Sequence, residues 1–514
     1  MKEFNVTGSC VPHMHYMVDI TEKLVQIKKM VDSAKYFTIN RARQYGKTTT
    51  RYALKNFIIE DYIVINVSFE GLGDAVFQDE RNFSSMVFNF FADSFKYSDK
   101  DLYKRTRKYG EGIQDFIGLS TAITEFCENE HEKVVLIIDE VDKSSNNQLF
   151  LSFLGMLRDK FLASKNGDDI TFHSVILLGV YDVKNLKLKL RQDEEKKFNS
   201  PWNIATEFEV EMSFNPKEIS TMLADYEKEH KTGMNIEEIS EELYKFTSGY
   251  PFLVSRLCKI IEEKLNRNWT LKGIEDSVKI LLEEKNTLFD DLIKNLENNK
   301  TLYDLIYDIL IEGKKILFNI YAPIIDLGVV LGILKKENTI LAVSNKIFEL
   351  CIYNYMISKR STAKGELVTY EYRAKFVENN MLKMELVLNK FQEIMHDEFR
   401  EKDSKFIERE GRLLFLCFLK PIINGVGFYY VEPETRMDNR MDVVITYGEE
   451  QHIVELKIWH GENYEMKALE QLAGYLDAKT EDKGYLISYS FNKNKEYTKA
   501  WKKYEGKHIY TIVV

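Results

Sequence analysis

Two apolar segments that each end at polar residues constrain the fold of this chain more than any other feature. Residues 36–39 precede a loop that contains the triplet Gly-Lys-Thr at 46–48. Residues 134–138 are all Val, Leu or Ile, and they precede an acidic pair at 139–140. Short apolar runs are typical of buried strands, and a loop from such a strand into a helix directs backbone N–H groups toward an anion. The two segments therefore predict a parallel sheet with a phosphate-binding loop at one edge.

The loop follows the Walker A pattern, and the acidic pair follows the Walker B pattern. We expect Lys47 to contact the β- and γ-phosphates of a nucleotide and Thr48 to bind Mg²⁺. Asp139 is expected to hold Mg²⁺, and Glu140 to polarise the attacking water. The remaining residues expected to bind the nucleotide are Arg43, Gln44, Tyr45, Gly46 and Thr49. The sequence thus predicts ATP and Mg²⁺ as cofactors.

One position departs from the Walker A pattern G-x-x-x-x-G-K-[ST]. The first glycine falls at position 41, where this chain has Arg41. The alternative interpretation is a helix that begins at Gly-Lys-Thr by chance and carries a surface lysine. The apolar strand before the loop and the acidic strand after it favour nucleotide binding, whereas the missing glycine leaves hydrolysis open.

Length, charge and cysteine usage narrow the class of protein. A chain of 514 residues is expected to form two to four domains. The net charge of −10 argues against a protein that binds polyanions over its whole surface. The five cysteines are scattered and form no C-x-x-C pair, which argues against disulfides or a zinc site and favours the cytoplasm. The longest apolar stretch, 321–334, is too short for a bilayer and contains Asp326, so no membrane partner is expected.

Strand and helix signals alternate in the first third of the chain, as in a parallel sheet with crossover helices. The predicted strands are 37–40, 63–69, Val134–Asp139 and Ser174–Gly179. Beyond the last strand, Tyr181 or Asp182 is either a sensor of the γ-phosphate or part of an ordinary turn. Residues 216–284 have a helical pattern, which predicts a small helical lid.

The next segment combines helices with a short hairpin. Helical signals run from 302 to 359, and strands at 333–334 and 339–343 flank a turn. This pattern is typical of a winged helix, a fold that binds DNA in some proteins and only packs between domains in others. Both interpretations remain open.

The tail of the chain contains a second set of acidic residues. Asp442 opens one predicted strand, and Glu455 and Lys457 lie two apart near the end of the next. Residues two apart on a strand share a face, so a hairpin brings all three to a common site. Two carboxylates can hold Mg²⁺, and a neighbouring lysine can activate water for phosphodiester cleavage. Glu410 on the preceding helix and Gln471 on the following helix are further candidates; the alternative is a surface hairpin whose acids and lysine simply pair.

The tail is also predicted to contain several helices and strands, and its last residues are rich in lysine. Predicted helices are 383–399, 408–419 and 465–479, and predicted strands are 427–432, 441–447, 452–456 and a last core strand at 484–489. Lysines crowd the end of the chain at positions 493, 495, 499, 502, 503 and 507. They predict either a surface that holds a phosphate backbone or merely a solvated face.

Both sets of motifs occur together in a known group of proteins. The chain resembles the bacterial AAA-like ATPases that carry a C-terminal nuclease domain of the PD-(D/E)XK superfamily. The resemblance extends over nearly the whole chain and includes residues 4–8, 15–19, 36–41, 43–48, 199–205, 248–252, 454–459 and 471–476. Members of this group commonly have an arginine where the first Walker A glycine is expected, as at Arg41.

The resemblance implies an α/β fold class. Its parts are a P-loop NTPase parallel sheet at 1–212, a helical lid at 213–290, a winged-helix-like connector at 291–362 and a PD-(D/E)XK-type α/β domain at 363–514. Arg191 falls where a related ATPase places an arginine finger that acts on a neighbouring subunit, although a flexible surface arginine is the alternative.

These observations predict an ATP-binding protein, expected to hydrolyse ATP, that controls a metal-dependent nuclease domain. The expected partner is nucleic acid, with DNA favoured over RNA, and the chain is expected to form a homo-oligomer. Many proteins of the resembled group look like parts of mobile-DNA or phage-defence systems. The alternative function is a nucleotide-dependent switch or scaffold whose nuclease-like domain binds nucleic acid or a partner without cleavage.

Overall fold

The computed structural model contains two compact units. It describes residues 2–69, 73–141, 147–179, 202, 204–310, 314–363, 376–378, 381–398, 408–423, 427–431, 442–448, 450–459, 462–490 and 496–514. The first unit comprises Met1–Leu292 and Phe318–Ile347, and the second comprises Ile293–Leu317 and Phe348–Val514. The predicted connector, 291–362, is thus divided between the two units, and the predicted domain borders stay predictions.

Four parallel strands form the sheet of the first unit. They are β1 (Tyr36–Asn40), β2 (Ile63–Ser68), β3 (Val134–Asp139) and β4 (Ser174–Gly179). Their order across the sheet is β1, β4, β3, β2, and all neighbours are parallel. Every residue of β3 and β4 is buried, as expected for a parallel sheet that helices cover on both faces. The predicted α/β class with a parallel sheet is confirmed.

The described helices of this region cover the two faces of the sheet. They are α1 (Thr21–Asp32), α2 (Lys47–Ile58), α3 (Glu80–Asp93), α4 (Lys100–Tyr109), α5 (Phe116–Asn129) and α6 (Gln148–Asn166). Leu136 and Ile138 of β3 pack with α3–α6 in a cluster rich in phenylalanine, whereas Val135 and Ile137 pack with α1 and α2. Because successive side chains of a strand point to opposite faces, β3 contributes to both cores.

A later segment covers the open edge of β1. The Thr206 N–H donates to the Tyr36 carbonyl at 2.8 Å, and Thr206 forms a parallel bridge with Phe37. The Phe208 ring stacks on the Phe37 ring with centroids 6.0 Å apart. Since Val210 is also buried in this core, residues 206–210 act as a partner along the strand that leads into the phosphate-binding loop.

Four helices form the predicted lid region. They are α7 (Pro216–His230), α8 (Ile236–Thr247), α9 (Pro251–Lys264) and α10 (Leu271–Glu283). Residues near the N-terminus pack on them: the Phe4 ring lies 5.1 Å from the Tyr226 ring and 6.0 Å from the Trp269 ring, centroid to centroid. Lys2 also forms an ion pair of 2.7 Å with Asp225. The N-terminal segment is therefore a structural part of the first unit.

The predicted connector contains helices and one hairpin. The helices are α11 (Thr287–Asn298), α12 (Lys300–Leu310), α13 (Pro323–Val330) and α14 (Lys346–Ala363). Strands β5 (Leu334–Glu337) and β6 (Ile340–Val343) pair antiparallel, with Glu337 opposite Ile340. The turn is therefore tighter than the sequence predicts, because the first strand continues through the two lysines that follow Leu334. Asn338 occupies it with a positive φ of 55°, which asparagine tolerates better than most residues.

A six-stranded mixed sheet forms the centre of the second unit. After the short strands β7 (Val377–Glu378) and β8 (Met381–Leu382), the elements are α15 (Met384–Glu398), α16 (Glu408–Ile423), β9 (Gly427–Val431), β10 (Asp442–Tyr447), β11 (Glu450–Ile458), α17 (Glu462–Lys479), β12 (Lys483–Tyr489), β13 (Lys499–Tyr504) and β14 (Lys507–Val513). The order across the sheet is β13, β14, β12, β11, β10, β9. Strands β9, β10 and β11 form an antiparallel meander, and α17 connects β11 to the parallel strand β12.

Helices cover both faces of the mixed sheet. Leu472 and Leu476 of α17 pack with Val444, Ile453 and Leu486. On the opposite face, the Tyr485 hydroxyl donates a hydrogen bond of 3.4 Å to the carboxylate of Glu385, a residue of α15. The second unit is therefore a helix–sheet–helix sandwich.

The expectation that the strand at 484–489 is the last core strand is wrong. Strands β13 and β14 follow it, and the lysine-rich segment supplies the edge strand of the sheet. Lys502 pairs with Glu465 at 2.6 Å, and Lys507 pairs with Asp477 at 2.9 Å. Part of the predicted basic surface is thus neutralised within the unit. Among the described residues, no helix combines the length and the apolar content needed to cross a bilayer.

Candidate functional site

The loop after β1 enters α2 through a left-handed turn at Gly46. Gly46 has a φ of 77° and occupies the N-cap of α2, and Lys47 is the first residue of that helix. A Cβ at position 46 would meet only Pro251, at 3.8 Å, so the backbone conformation and not the space requires glycine here. Gln44 also has a positive φ, 56°. The helix N-terminus therefore opens toward the loop, as an anion-binding loop requires.

The Lys47 side chain folds back over the loop. Its ammonium group donates to the carbonyl of Arg41 at 2.8 Å and to that of Ala42 at 3.0 Å. These bonds place the charge above the loop, within the turn that would surround a phosphate. The contact of Lys47 with phosphate oxygens stays a prediction.

The arginine that replaces the first glycine has a structural role. Its guanidinium donates to the carbonyl of Asn40 at 2.8 Å and to the carbonyl of Val210 at 2.7 Å. It also lies over the Phe208 ring, 5.3 Å from the centroid. Arg41 thus joins the end of β1 to residues 208–210, and its side chain extends from the loop toward that segment. Position 41 does not have the left-handed backbone that favours glycine, whereas position 46 does.

Arg43, Gln44 and Tyr45 contact residues outside the loop through their side chains. Arg43 forms an ion pair of 2.9 Å with Asp291, and Gln44 donates to the Thr287 hydroxyl at 2.9 Å. The Tyr45 hydroxyl lies 2.5 Å from the Ser213 hydroxyl. These side chains are therefore engaged within the protein, and the contacts of Arg43, Gln44 and Tyr45 with a nucleotide stay predictions.

Two further contacts fix the same loop. The Tyr250 hydroxyl donates to the carbonyl of Arg43, and burial raises the pKa of Tyr250, so the phenol is a neutral donor. The hydroxyl of Thr49, on the first turn of α2, accepts a hydrogen bond of 3.1 Å from the Cys10 N–H. Thr49 is thus engaged by the N-terminal segment.

The predicted Walker B acids lie at the end of β3. Asp139 is 3% exposed, and its Oδ1 accepts the Glu140 N–H at 2.9 Å. Its Oδ2 forms an ion pair of 3.1 Å with Nη1 of Arg51, a residue of α2. Glu140 has a φ of 55°, a left-handed conformation that costs a non-glycine residue about 1–2 kcal/mol. Strain of this kind clusters at functional sites.

The sheet brings both motifs to one edge. The loop follows the carboxyl end of β1, the acids follow the carboxyl end of β3, and only β4 lies between these strands. Ligands of open α/β sheets bind outside the carboxyl ends of the strands. The donor set fits Mg²⁺, because the Thr48 hydroxyl and the Asp139 carboxylate offer hard oxygen ligands. The sensor candidates Tyr181 and Asp182, and Arg191, lie outside the described residues.

The register of the tail hairpin brings two predicted site residues opposite each other. Asp442 of β10 pairs with Glu455 of β11, and residues directly opposite on antiparallel strands share a face. Glu455 is fully buried, and Nζ of Lys457 lies 2.7 Å from its Oε1. By alternation, this face is the one that Ile453 and α17 cover. Gln471 belongs to α17, the helix that packs on this face.

The remaining predicted acid belongs to a helix on the other face. Glu410 lies in α16 next to Gly411, where a Cβ would come within 2.3 Å of the Tyr489 ring. Tyr489 alternates away from the Glu455 face. The side chains of Glu410 and Asp442 are outside the described residues, so their contribution to a site stays a prediction. Among the side chains that are described, no group of three His, Cys, Asp or Glu residues is arranged to hold a metal ion.

The sequence did not point to Arg51 or to the partners of Arg41. Arg51 lies one helical turn after Thr48, a spacing that places it on the side of α2 nearest the acidic strand. That spacing is the only local signal for it. The carbonyl of Val210 is 169 residues from Arg41, and nothing in the loop itself indicates it.

Comparison with family models and with curated proteins produced no match. Among solved structures, a Walker-type ATPase of Pyrococcus abyssi matches over 68% of this chain and 99% of that chain, with 13% identity and a TM-score of 0.44. The ORC2 protein of Aeropyrum pernix, in ADPNP and ADP complexes, matches over 68% of this chain and 96% of its own, with 11% identity and a TM-score of 0.31.

A third match is the ORC1 protein of Aeropyrum pernix in complex with DNA. It covers 68% of this chain and 95% of its own length, with 10% identity and a TM-score of 0.29. The structural neighbours thus include a Walker-type ATPase and ORC proteins. Since every TM-score here is below 0.5, the function of this chain is inferred from its own residues.

Proposed function

We propose that the chain binds ATP with Mg²⁺ at the loop 41–49 and that the bound nucleotide controls a phosphodiester-cleaving site in the second unit. One observation carries the proposal: a single sheet edge holds the Gly-Lys-Thr helix start and the buried acid Asp139. A helix N-terminus and a lysine favour phosphate, and a carboxylate beside them favours the accompanying cation.

Each residue then has a defined task. Backbone N–H groups of 43–48 bind the phosphates, and Lys47 exchanges its bonds to loop carbonyls for phosphate oxygens. Thr48 and Asp139 hold the cation, which supplies charge neutralisation on the β- and γ-phosphates. Glu140 accepts a hydrogen bond from the attacking water and orients it toward the γ-phosphate. The left-handed backbone at Glu140 sets the direction of its side chain.

The second unit supplies the proposed cleavage site. The register of Asp442 with Glu455, and the ion pair of Glu455 with Lys457, support a site made of two carboxylates and one lysine. The order of helix, antiparallel meander, helix and parallel strand from α16 to β12 agrees with the PD-(D/E)XK-type domain that the sequence resembles. Asp442 and Glu455 would bind Mg²⁺, and Lys457 would orient the attacking water. Gln471 would support the site from α17.

We place this activity on nucleic acid, with DNA favoured over RNA, in a cytoplasmic homo-oligomer. Two copies of a nuclease site are required to cut both strands of a duplex, which is the reason to favour an oligomer. The resemblance to elements of mobile-DNA and phage-defence systems supports the same substrate class. Exposed residues of β13, among them Lys499 and Lys503, are available to contact a phosphate backbone.

A second candidate function is a nucleotide-dependent switch that binds nucleic acid or a partner without cleavage. The specific observation in its favour is the burial of Glu455, whose carboxylate is fully buried and forms an ion pair with Lys457. A carboxylate already neutralised by a lysine attracts a cation less strongly. Cleavage therefore requires Lys457 to move or to share Glu455 with the metal.

The test is cleavage of supercoiled plasmid, linear duplex, single-stranded DNA and RNA by the full chain, with Mg²⁺ or Mn²⁺ and with or without ATP. Wild type is compared with Lys47→Ala and Glu455→Gln. The matched control is Glu465→Gln, which removes a partly buried carboxylate that pairs with Lys502 in the same unit. We expect cleavage to disappear in Glu455→Gln, to lose its response to ATP in Lys47→Ala, and to persist in Glu465→Gln.

Two outcomes would redirect the proposal. ATP binding that depends on Lys47, together with intact substrates under every condition, would support the switch. Cleavage that persists in Glu455→Gln would assign the activity to another site.

A further inference from the structure

Asp139, at the end of β3, has a charged partner in Arg51, and the role of this pair rests on the proposed binding of ATP at the same loop. Arg51 lies on α2 three residues after Thr48, so the two side chains are neighbours on the helix surface. Its Nη1 is 3.1 Å from Oδ2 of Asp139, and the two side chains are only 13% and 5% exposed. A buried carboxylate without a cation is costly, so this ion pair stabilises Asp139 at the end of β3.

Both oxygens of Asp139 are engaged. Oδ1 accepts the backbone N–H of Glu140 at 2.9 Å, and Oδ2 accepts Arg51. The Arg51 guanidinium also lies over the Tyr52 ring, 5.7 Å from the centroid, and Tyr52 is 51% exposed. Its Nε is buried and has no hydrogen-bond partner among the described residues. The guanidinium is therefore held mainly by Asp139, with an exposed ring beside it.

We propose that Arg51 is a positioning residue that occupies the cation position beside Asp139 until Mg²⁺ enters with the nucleotide, and that Mg²⁺ displaces it. Two cations on one buried carboxylate repel each other, and solvent screens that repulsion only weakly. Mg²⁺ at Asp139 therefore requires Arg51 to withdraw toward Tyr52 and the surface. The ion pair preserves the geometry of the acidic strand in the nucleotide-free protein and lowers the apparent affinity for Mg²⁺.

A purely structural role for Arg51 makes a different prediction. If the ion pair only fastens α2 to β3, its loss lowers stability and leaves the Mg²⁺ dependence of nucleotide binding unchanged. Displacement predicts that removal of the guanidinium charge makes Mg²⁺ bind more tightly, whereas a variant that keeps a positive charge behaves like wild type.

The experiment is binding of a ribose-labelled fluorescent ATP derivative to the full chain, first in EDTA and then across a Mg²⁺ titration. The proteins are wild type, Arg51→Gln, Arg51→Lys and Lys47→Ala, each verified as folded by circular dichroism and thermal melting. We expect the Mg²⁺ midpoint to fall about tenfold in Arg51→Gln, the size of a typical coupling between two sites. Arg51→Lys is expected to stay within about threefold of wild type, since the charge remains.

The outcomes separate this inference from the proposed function. Absence of nucleotide binding by wild type would overturn the proposed function itself. Nucleotide binding that is lost in Lys47→Ala, combined with an unchanged Mg²⁺ midpoint in Arg51→Gln, would overturn only the role of Arg51. Arg51→Met, which keeps the apolar stem, carries the same expectation if Arg51→Gln does not fold. Failure of both neutral variants to fold would show a structural role and would also overturn the inference.

Discussion

Gly249, in the turn between α8 and α9, is a position where a single methyl group should disrupt the first unit. Its φ is 71°, and a Cβ at this position would lie 1.8 Å from the carbonyl oxygen of Phe214 and 2.7 Å from the Phe214 backbone nitrogen. The Gly249 carbonyl itself accepts the Phe214 N–H at 2.9 Å. The backbone at Gly249 is therefore in direct contact with the backbone at Phe214, and separating the two breaks this hydrogen bond.

The expected cost of Gly249→Ala has two parts. The left-handed conformation costs a residue with a Cβ about 1 kcal/mol. The overlap with the Phe214 backbone then forces a shift or loss of the hydrogen bond, which brings the total to about 3–5 kcal/mol. The next residue, Tyr250, donates to the carbonyl of Arg43 in the phosphate-binding loop. The substitution should therefore also weaken nucleotide binding.

The matched control is Gly233→Ala in the loop between α7 and α8. Gly233 has a φ of 78°, but a Cβ at this position would have no atom within 4 Å. Its substitution carries only the conformational cost of about 1 kcal/mol. Chemical denaturation of the two variants beside wild type measures the difference, which we expect to be about 2–4 kcal/mol. Equal destabilisation by the two substitutions would refute the steric argument.

Three further substitutions test other parts of the structure. Arg41→Ala removes charged hydrogen bonds to two backbone carbonyls and should lower the free energy of unfolding by about 2 kcal/mol. An unchanged denaturation midpoint would show that Arg41 does not stabilise the contact between β1 and residues 208–210. Phe4→Ala removes a fully buried ring from the aromatic cluster on the lid and should cost about 3–5 kcal/mol. Met14→Ala, at a side chain that is 51% exposed, is its control and should stay within about 0.5 kcal/mol of wild type. Gly411→Ala should cost about 1–3 kcal/mol, because its Cβ would come within 2.3 Å of the Tyr489 ring. Calorimetry of Gly411→Ala alone and combined with Tyr489→Val checks this, since the smaller side chain should recover part of the loss.

The strands of the first sheet are predictable because both of their faces are buried. Burial on both faces requires an unbroken apolar run, and such runs stand out in Val134–Asp139 and Ser174–Gly179. Their polar ends mark the loop and the acidic pair at once. This part of the fold and the location of the site therefore follow from local patterns.

The helices between β2 and β3 are harder to predict. Their start signals are present, since Asp79, Asp99 and Asp115 each accept N–H groups at the first turn of α3, α4 and α5. Aspartate is common in loops as well as at N-caps, so these signals have meaning only after the sheet is known. The hairpin of β13 and β14 is obscured for another reason: its first strand is an exposed edge, and its lysines mask the alternation.

Contacts between distant segments are absent from local patterns altogether. The Arg51–Asp139 pair joins a helix to a strand that begins more than eighty residues later in the chain. Its existence depends on the strand order β1, β4, β3, β2, which no short motif specifies. The opposition of Asp442 and Glu455 is different, because a hairpin with a short turn restricts the register to a few choices.

The contact between Arg41 and residues 208–210 changes how the phosphate-binding motif should be defined in this chain. The loop is one half of a bipartite unit, and the other half is supplied by a segment 169 residues away. A graft of the loop alone into another scaffold would leave the arginine without its two carbonyl partners and its aromatic ring. A motif definition that requires glycine at the first position therefore excludes a loop held in this way.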